Sequence, residues 1–129
     1  MKMRFALPFF ACALAVAMLA PALAQIMSIT ARPTNVTLKV GQSQYIYVES
    51  RGSWPGLAGS TCGAFPHSRP GDTLAVSNLH QMKGDNGAMS FDVKAQHPGT
   101  CYLRFGMQAE TKSGDVKELY ATTHITVTP

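Results

Sequence analysis

The chain predicts an all-β domain of two packed antiparallel sheets, carried behind a cleaved secretory signal. Three observations predict it. Residues 1–24 have the composition of an export signal, apolar residues recur with period two along nearly all of the remainder, and Gly, Pro, Asn and Asp punctuate those runs. No segment repeats its apolar residues with a helical period.

The signal comes first. Lys2 and Arg4 supply a short positive start, Phe5 to Leu19 is apolar and uncharged, and Pro21 breaks the run. Ala22-Leu23-Ala24 fits the small-x-small cleavage pattern, so the mature domain is expected to span residues 25–129 and to work in the periplasm or outside the cell. A lipidated Cys12 is the lesser alternative, because Phe9, Phe10 and Ala11 before it do not match a lipoprotein site. Losing Lys2 and Arg4 takes eleven basic residues to nine against seven acidic, a net charge of +2. Scattered charge of that size does not make an electrostatic nucleic-acid binder. No second apolar run is long enough to span a bilayer.

About seven strands follow. Val36, Leu38 and Val40 alternate with Thr37 and Lys39, and Gly41-Gln42-Ser43 turns the chain. Asn35-Val36-Thr37 matches a glycosylation triplet but reads as strand sequence. Ile46 and Val48 alternate with Tyr45, Tyr47 and Glu49, so one face is aliphatic and the other aromatic. Leu74 and Val76 mark a short strand. Asp85-Asn86-Gly87 signals a turn before Phe91, Val93 and Ala95. Pro98-Gly99 precedes the run Cys101, Leu103, Phe105 and Met107, whose other face carries Tyr102 and Arg104. Lys112-Ser113-Gly114-Asp115 is expected to close a hairpin onto the last strand, Leu119 to Val127.

Residues 50–72 break this rhythm with five Gly and three Pro. A loop this long in a small domain is uncommon and is usually either functional or poorly ordered. Trp54, Leu57 and Phe65 supply apolar anchors, and a short strand is expected near Trp54 or over Thr61 to Phe65. With Cys12 removed, Cys62 and Cys101 form an even pair in an oxidising compartment, which predicts one disulfide. It would fasten the middle of the loop to the core.

Two stretches resemble a known family. Pro33, Val36, Leu38, Gly41-Gln42-Ser43 and Ile46 stand in the order seen at the start of group 2 bacterial Ig-like domains. Val93-Lys94-Ala95 with Pro98-Gly99-Thr100 resembles their late segment, and Ile125 to Pro129 resembles their last strand. The N-terminal domain of pilus-secretin proteins is similar in its strand and turn grammar and is a near rival. The resemblance implies an Ig-like β-sandwich that contacts other molecules and has no enzymatic residues. Such domains usually lack a disulfide and usually occur as one module among several. Here a Cys pair is present and one module follows the signal.

The candidate sites follow from these placements. Trp54 is either the anchor of its loop or an exposed contact, and Arg51 and Arg69 flank it in sequence. Tyr45 and Tyr47, with Tyr102 if its strand is adjacent, form either a cross-strand pack or a contact patch. His80, Met82 and Met89 faintly match a soft copper-ligand set, although no metal or other cofactor is expected. Gly59-Ser60-Thr61-Cys62-Gly63 lacks the spacing of a nucleophile elbow, and no phosphate loop or HExxH is present, so no catalytic site is predicted. The expected role is a non-enzymatic module of the cell envelope. It would bind a cell-envelope or extracellular protein or glycan through the stapled loop, or by adding an edge strand to a partner's sheet. A small secreted hydrolase inhibitor and a periplasmic copper carrier are the alternatives.

Overall fold

The computed structural model describes residues 27–129, so the expected signal and Cys12 lie outside the described residues. Eight strands follow in order: β1 Ser28–Arg32, β2 Asn35–Lys39, β3 Ser43–Arg51, β4 Gly56–Ser60, β5 Leu74–Met82, β6 Ala88–Ala95, β7 Gly99–Glu110 and β8 Val116–Thr128. They form two four-stranded sheets with the orders β1-β3-β6-β5 and β2-β8-β7-β4. In Ig nomenclature the first is the A-B-E-D sheet and β4-β7-β8 is the C-F-G sheet, so the topology itself is that of an Ig-like sandwich. Among the described residues, no helix is long and apolar enough to cross a membrane.

Three features differ from the expectation. The strands number eight, because Pro33 ends β1 and the chain crosses to the other sheet as β2. β2 pairs parallel with β8, which makes the second sheet mixed rather than purely antiparallel. The strand hidden in residues 50–72 is Gly56–Ser60, between the two places expected for it. Gly56 and Gly59 are poor strand formers, so pairing with β7 rather than propensity creates β4.

The crossing at Pro33 is fastened by hydrogen bonds. The hydroxyl of Thr123, fully buried on β8, donates to the Pro33 carbonyl at 2.8 Å. The His124 amide donates to the Thr34 carbonyl at 2.8 Å. A buried hydroxyl needs such a partner, and here it also sets where β2 meets β8.

Alternate residues of the long strands fill the space between the sheets. Phe91 of β6 and Phe105 of β7, both 0% exposed, meet across it with ring centroids 5.9 Å apart. Phe65 reaches in from the loop after β4 and packs edge-on against Phe91 at 5.1 Å. Ile46, Val48, Val93, Leu103 and Ile125 complete the layer. Truncating Phe91 or Phe105 to Ala is expected to cost about 3–5 kcal/mol.

The predicted disulfide joins Cys62 and Cys101, with Cα atoms 5.0 Å apart. In antibody domains the bridge crosses between sheets, from the second strand to the sixth. Here it ties the end of β4 to β7 on one sheet, while the Cys62 carbonyl accepts from the Leu74 amide at the start of β5. Cross-linking residues 39 apart removes loop entropy from the unfolded chain. Urea unfolding with and without reductant is expected to differ by about 2–4 kcal/mol. Equal midpoints would contradict a stabilising bridge.

Candidate functional site

The parity of β7 decides what the second sheet shows to solvent. Leu103, Phe105 and Met107 point inward, so Tyr102, Arg104, Gly106 and Gln108 point outward. Across the pair with β8 these face His124, Thr122, Tyr120 and Glu118. On the other side Gly106 faces Gly56 of the edge strand β4. Gly56, Gly106 and Ala58 thus leave a side-chain-poor strip on the outer face of the sheet.

That strip is the floor of a trough of about 450 Å³, with Trp54 and Tyr120 among its walls and Gln108 and Glu118 at its rim. A Cβ at Gly106 would lie 3.0 Å from the Tyr120 ring and 3.2 Å from the Ala58 methyl. Glycine at this strand position therefore permits the close approach of the ring.

Tyr120 is 45% exposed yet fastened at its hydroxyl and on its ring face. Its hydroxyl donates to Glu118 Oε2 at 2.5 Å, and Gln108 Nε2 donates to Glu118 Oε1 at 2.9 Å. The Arg104 guanidinium sits over the ring, 3.9 Å from its centroid. The Tyr120 hydrogen bond, followed by that from Gln108, holds the Glu118 carboxyl below the usual carboxylate range. The same bond from Tyr120 raises its phenol above the usual range.

Trp54 is 46% exposed and stands on a braced loop between β3 and β4. Ser50 and Gly87 exchange two backbone hydrogen bonds, and the Gly52 amide donates to the Asp85 carbonyl at 2.6 Å. The Ser50 hydroxyl donates to the Ser53 carbonyl, and Gln81 Nε2 donates to the carbonyl of buried Pro55. Gly87 passes so close that a Cβ there would be 2.5 Å from the Trp54 Cα. The backbone is anchored while the indole is left to solvent. Leu57 and Phe65, the other two predicted anchors, do pack against the core.

Several sequence-based groupings are corrected. Residues 50–72 are not one stapled loop, because β4 divides them and delivers their two halves to opposite ends of the sandwich. Arg51 ends β3 beside Ser28, at the Trp54 end. Arg69 lies beyond the far end of β6, where its carbonyl accepts from Gln96, a strand length of roughly 25 Å away. There the Arg69 and Ala64 amides donate to the Asp72 carboxylate, and the segment folds back onto the core through Phe65. The Arg69 amide is the largest cause that lowers the Asp72 carboxyl below its usual range.

Tyr45 and Tyr47 do face outward, opposite Ile46 and Val48, but on the first sheet. Tyr102 lies on the second sheet, so the three rings make no common stripe. Tyr47 and Arg51 line a separate polar hollow with Met82. The His80, Met82 and Met89 set does not converge. His80 and Met82 pair outward with Ser90 and Ala88, whereas Met89, 3% exposed, points into the core. Of the four edge strands, β1, β2, β4 and β5, the last two carry register shifts, at Leu57/Gly59 and Ser77/His80. Such irregularity blunts strand addition.

Sequence reasoning missed Tyr120, Glu118, Gln108 and Gly106. The usable signals were Gly106 inside an otherwise alternating strand and Tyr120 between Leu119 and Ala121.

Comparison with known proteins finds distant structural likeness, and the fold rests on the strand topology itself. No protein-family model matches the chain, and no curated protein matches it. A chain from "Structural basis of T cell specificity and activation by the bacterial superantigen toxic shock syndrome toxin-1" is similar with a TM-score of 0.48 and 15% identity, covering 79% of this chain and 99% of that one. A chain from "The BIgI domain of beta protein from S. agalactiae bound to CEACAM1" is similar with a TM-score of 0.43 and 17% identity, covering 80% and 99%. Likeness at this level bears on neither ligand nor partner.

The carboxylate–phenol pair gives a direct test of the site geometry. Above the ordinary carboxylate range the ionised Glu118 keeps its hydrogen bonds, and their contribution to stability is lost as pH falls through its lowered value. In Tyr120→Phe, the Glu118 midpoint followed by carboxyl NMR is expected to rise toward the ordinary range. An unchanged midpoint would contradict the bond.

Proposed function

We propose that the protein is a non-enzymatic, extracytoplasmic Ig-like interaction module of the group 2 bacterial type, exported to the periplasm or beyond. Its contact surface is the outer face of the second sheet, centred on Trp54 and Tyr120. The partner is a protein or glycan of the cell envelope or the extracellular space. The observation that carries this reading is a half-exposed tryptophan on a braced backbone, set beside a trough whose opposite wall is itself fastened. A protein gains nothing in stability from exposing an indole in this way, whereas an ordered aromatic at a surface hollow loses little freedom on binding. The disulfide supports an oxidising compartment.

Arg51, Tyr47 and Tyr45 belong to a secondary area on the first sheet, and Arg69 to the far end. They contribute less to the contact than Trp54 does. The test is affinity capture from envelope and culture-medium extract with the oxidised protein and its Trp54→Ala variant as parallel baits. The variant is expected to lose a partner held by the parent, with affinity reduced at least about 30-fold for a central aromatic contact. Equal retention on both baits would place the contact elsewhere. The same assay on Arg69→Ala is expected to show no loss.

A further inference from the structure

We infer that the trough between Trp54 and Tyr120 is a saccharide site. It takes a neutral oligosaccharide, with a sugar ring stacked on the indole and its hydroxyls directed at Glu118 and Gln108. The inference rests on the preceding reading of this face as the contact surface, and it names the ligand class.

The shape argues for a small recessed ligand. A volume of about 450 Å³ falls among small-molecule sites, and the floor of Gly56, Ala58 and Gly106 lets a ring approach the sheet closely. The rim then argues for a polyol. Each Glu118 oxygen accepts one hydrogen bond within the protein, from Tyr120 or from Gln108. A carboxylate oxygen accepts two, so each keeps a place for a hydroxyl donor. The Tyr120 hydroxyl spends its proton on Glu118 and keeps its lone pairs as acceptors. The rim is therefore rich in acceptors, and vicinal hydroxyls supply the matching donors. Gln108 adds a side-chain amide at the same rim.

Charge narrows the class further. Glu118 is the acid lining the trough, and Arg104, whose charge acts on Glu118, is engaged on the face of the Tyr120 ring. An anionic sugar would meet the carboxylate first. An extended peptide fits less well, because the ladder of β4 beside the trough is interrupted at Leu57/Gly59.

Trp54 is the single tryptophan of the chain, so intrinsic fluorescence reads the site directly. The oxidised protein expressed from the full chain would be titrated with N-acetylglucosamine, cello- and malto-oligosaccharides, and with an oligouronate as the anionic control. At least one neutral series is expected to shift the emission saturably with a midpoint at or below about 1 mM, the weak end of specific affinity. The oligouronate is expected to bind at least about ten times more weakly. Glu118→Gln is expected to raise the midpoint at least about tenfold, the loss of a charged hydrogen bond, while the variant keeps a single cooperative urea transition. Tyr120→Phe, which keeps the ring, is expected to raise it several-fold. No shift with any neutral series would overturn the saccharide assignment, as would shifts indifferent to Glu118→Gln and Tyr120→Phe or stronger binding of the oligouronate. If the sugars fail while a captured protein still depends on Trp54, the contact surface stands and its ligand is a protein. If both fail, both readings fall.

Discussion

The contact between Phe91 and Phe105 is the constraint on which the rest of the molecule depends. Each ring comes from an inner strand of its sheet, and each is wholly removed from water. Together they form the principal aromatic bridge between the layers, where antibody domains place a disulfide and a tryptophan. Phe105 pointing inward also fixes the parity of β7. A slip of one residue would turn the core face to solvent, so Arg104, Gly106 and Gln108 are committed to the outside. The candidate site is thus a consequence of the core. The trough exists because the residue after Phe105 is a glycine facing another glycine across the β4 pairing.

A second constraint comes from the Pro33 crossing. Thr123 and His124 hold the crossing segment by side chain and backbone, which sets β2 beside the end of β8. The unbroken β7–β8 register then carries that alignment to Tyr120, opposite Gly106. The disulfide performs a related service at the other end. It holds the short, glycine-weakened β4 onto β7, and β4 supplies one side of the trough. The two halves of residues 50–72 accordingly do separate work. One presents Trp54, and the other plugs the far end of the core with Phe65.

Much of the scaffold was legible because period-two alternation and turn chemistry are local. The cores of β2, β3, β6, β7 and β8, the Asp85-Asn86-Gly87 turn, the Lys112 to Asp115 hairpin and the Cys62–Cys101 pair could all be read from neighbouring residues or simple counting. β1 and β4 could not. β1 has only Ile29 and Ala31 to alternate, and β4 is held by pairing despite its glycines. The site was half legible. Trp54 stood out by type, but Tyr120 joins it through strand register, which no local pattern encodes. The opposite error grouped Arg69 with Arg51, because nearness in sequence hid β4 and its flanking segments, which carry the chain from one end of the sandwich to the other between them. Tyr102 was detached from Tyr45 and Tyr47 for a similar reason: alternation shows which face a residue takes but not which sheet it joins.

The trough can be tested by filling it. Ala58 is exposed on its floor and contributes nothing to the buried core, so Ala58→Tyr would occupy the cavity while leaving Phe91, Phe105 and the disulfide untouched. The decisive measurement is the affinity of this variant for whatever ligand or partner the parent binds, taken together with its urea midpoint. The expected result is loss of binding with unchanged stability. Full binding with the trough filled would contradict the assignment of this face.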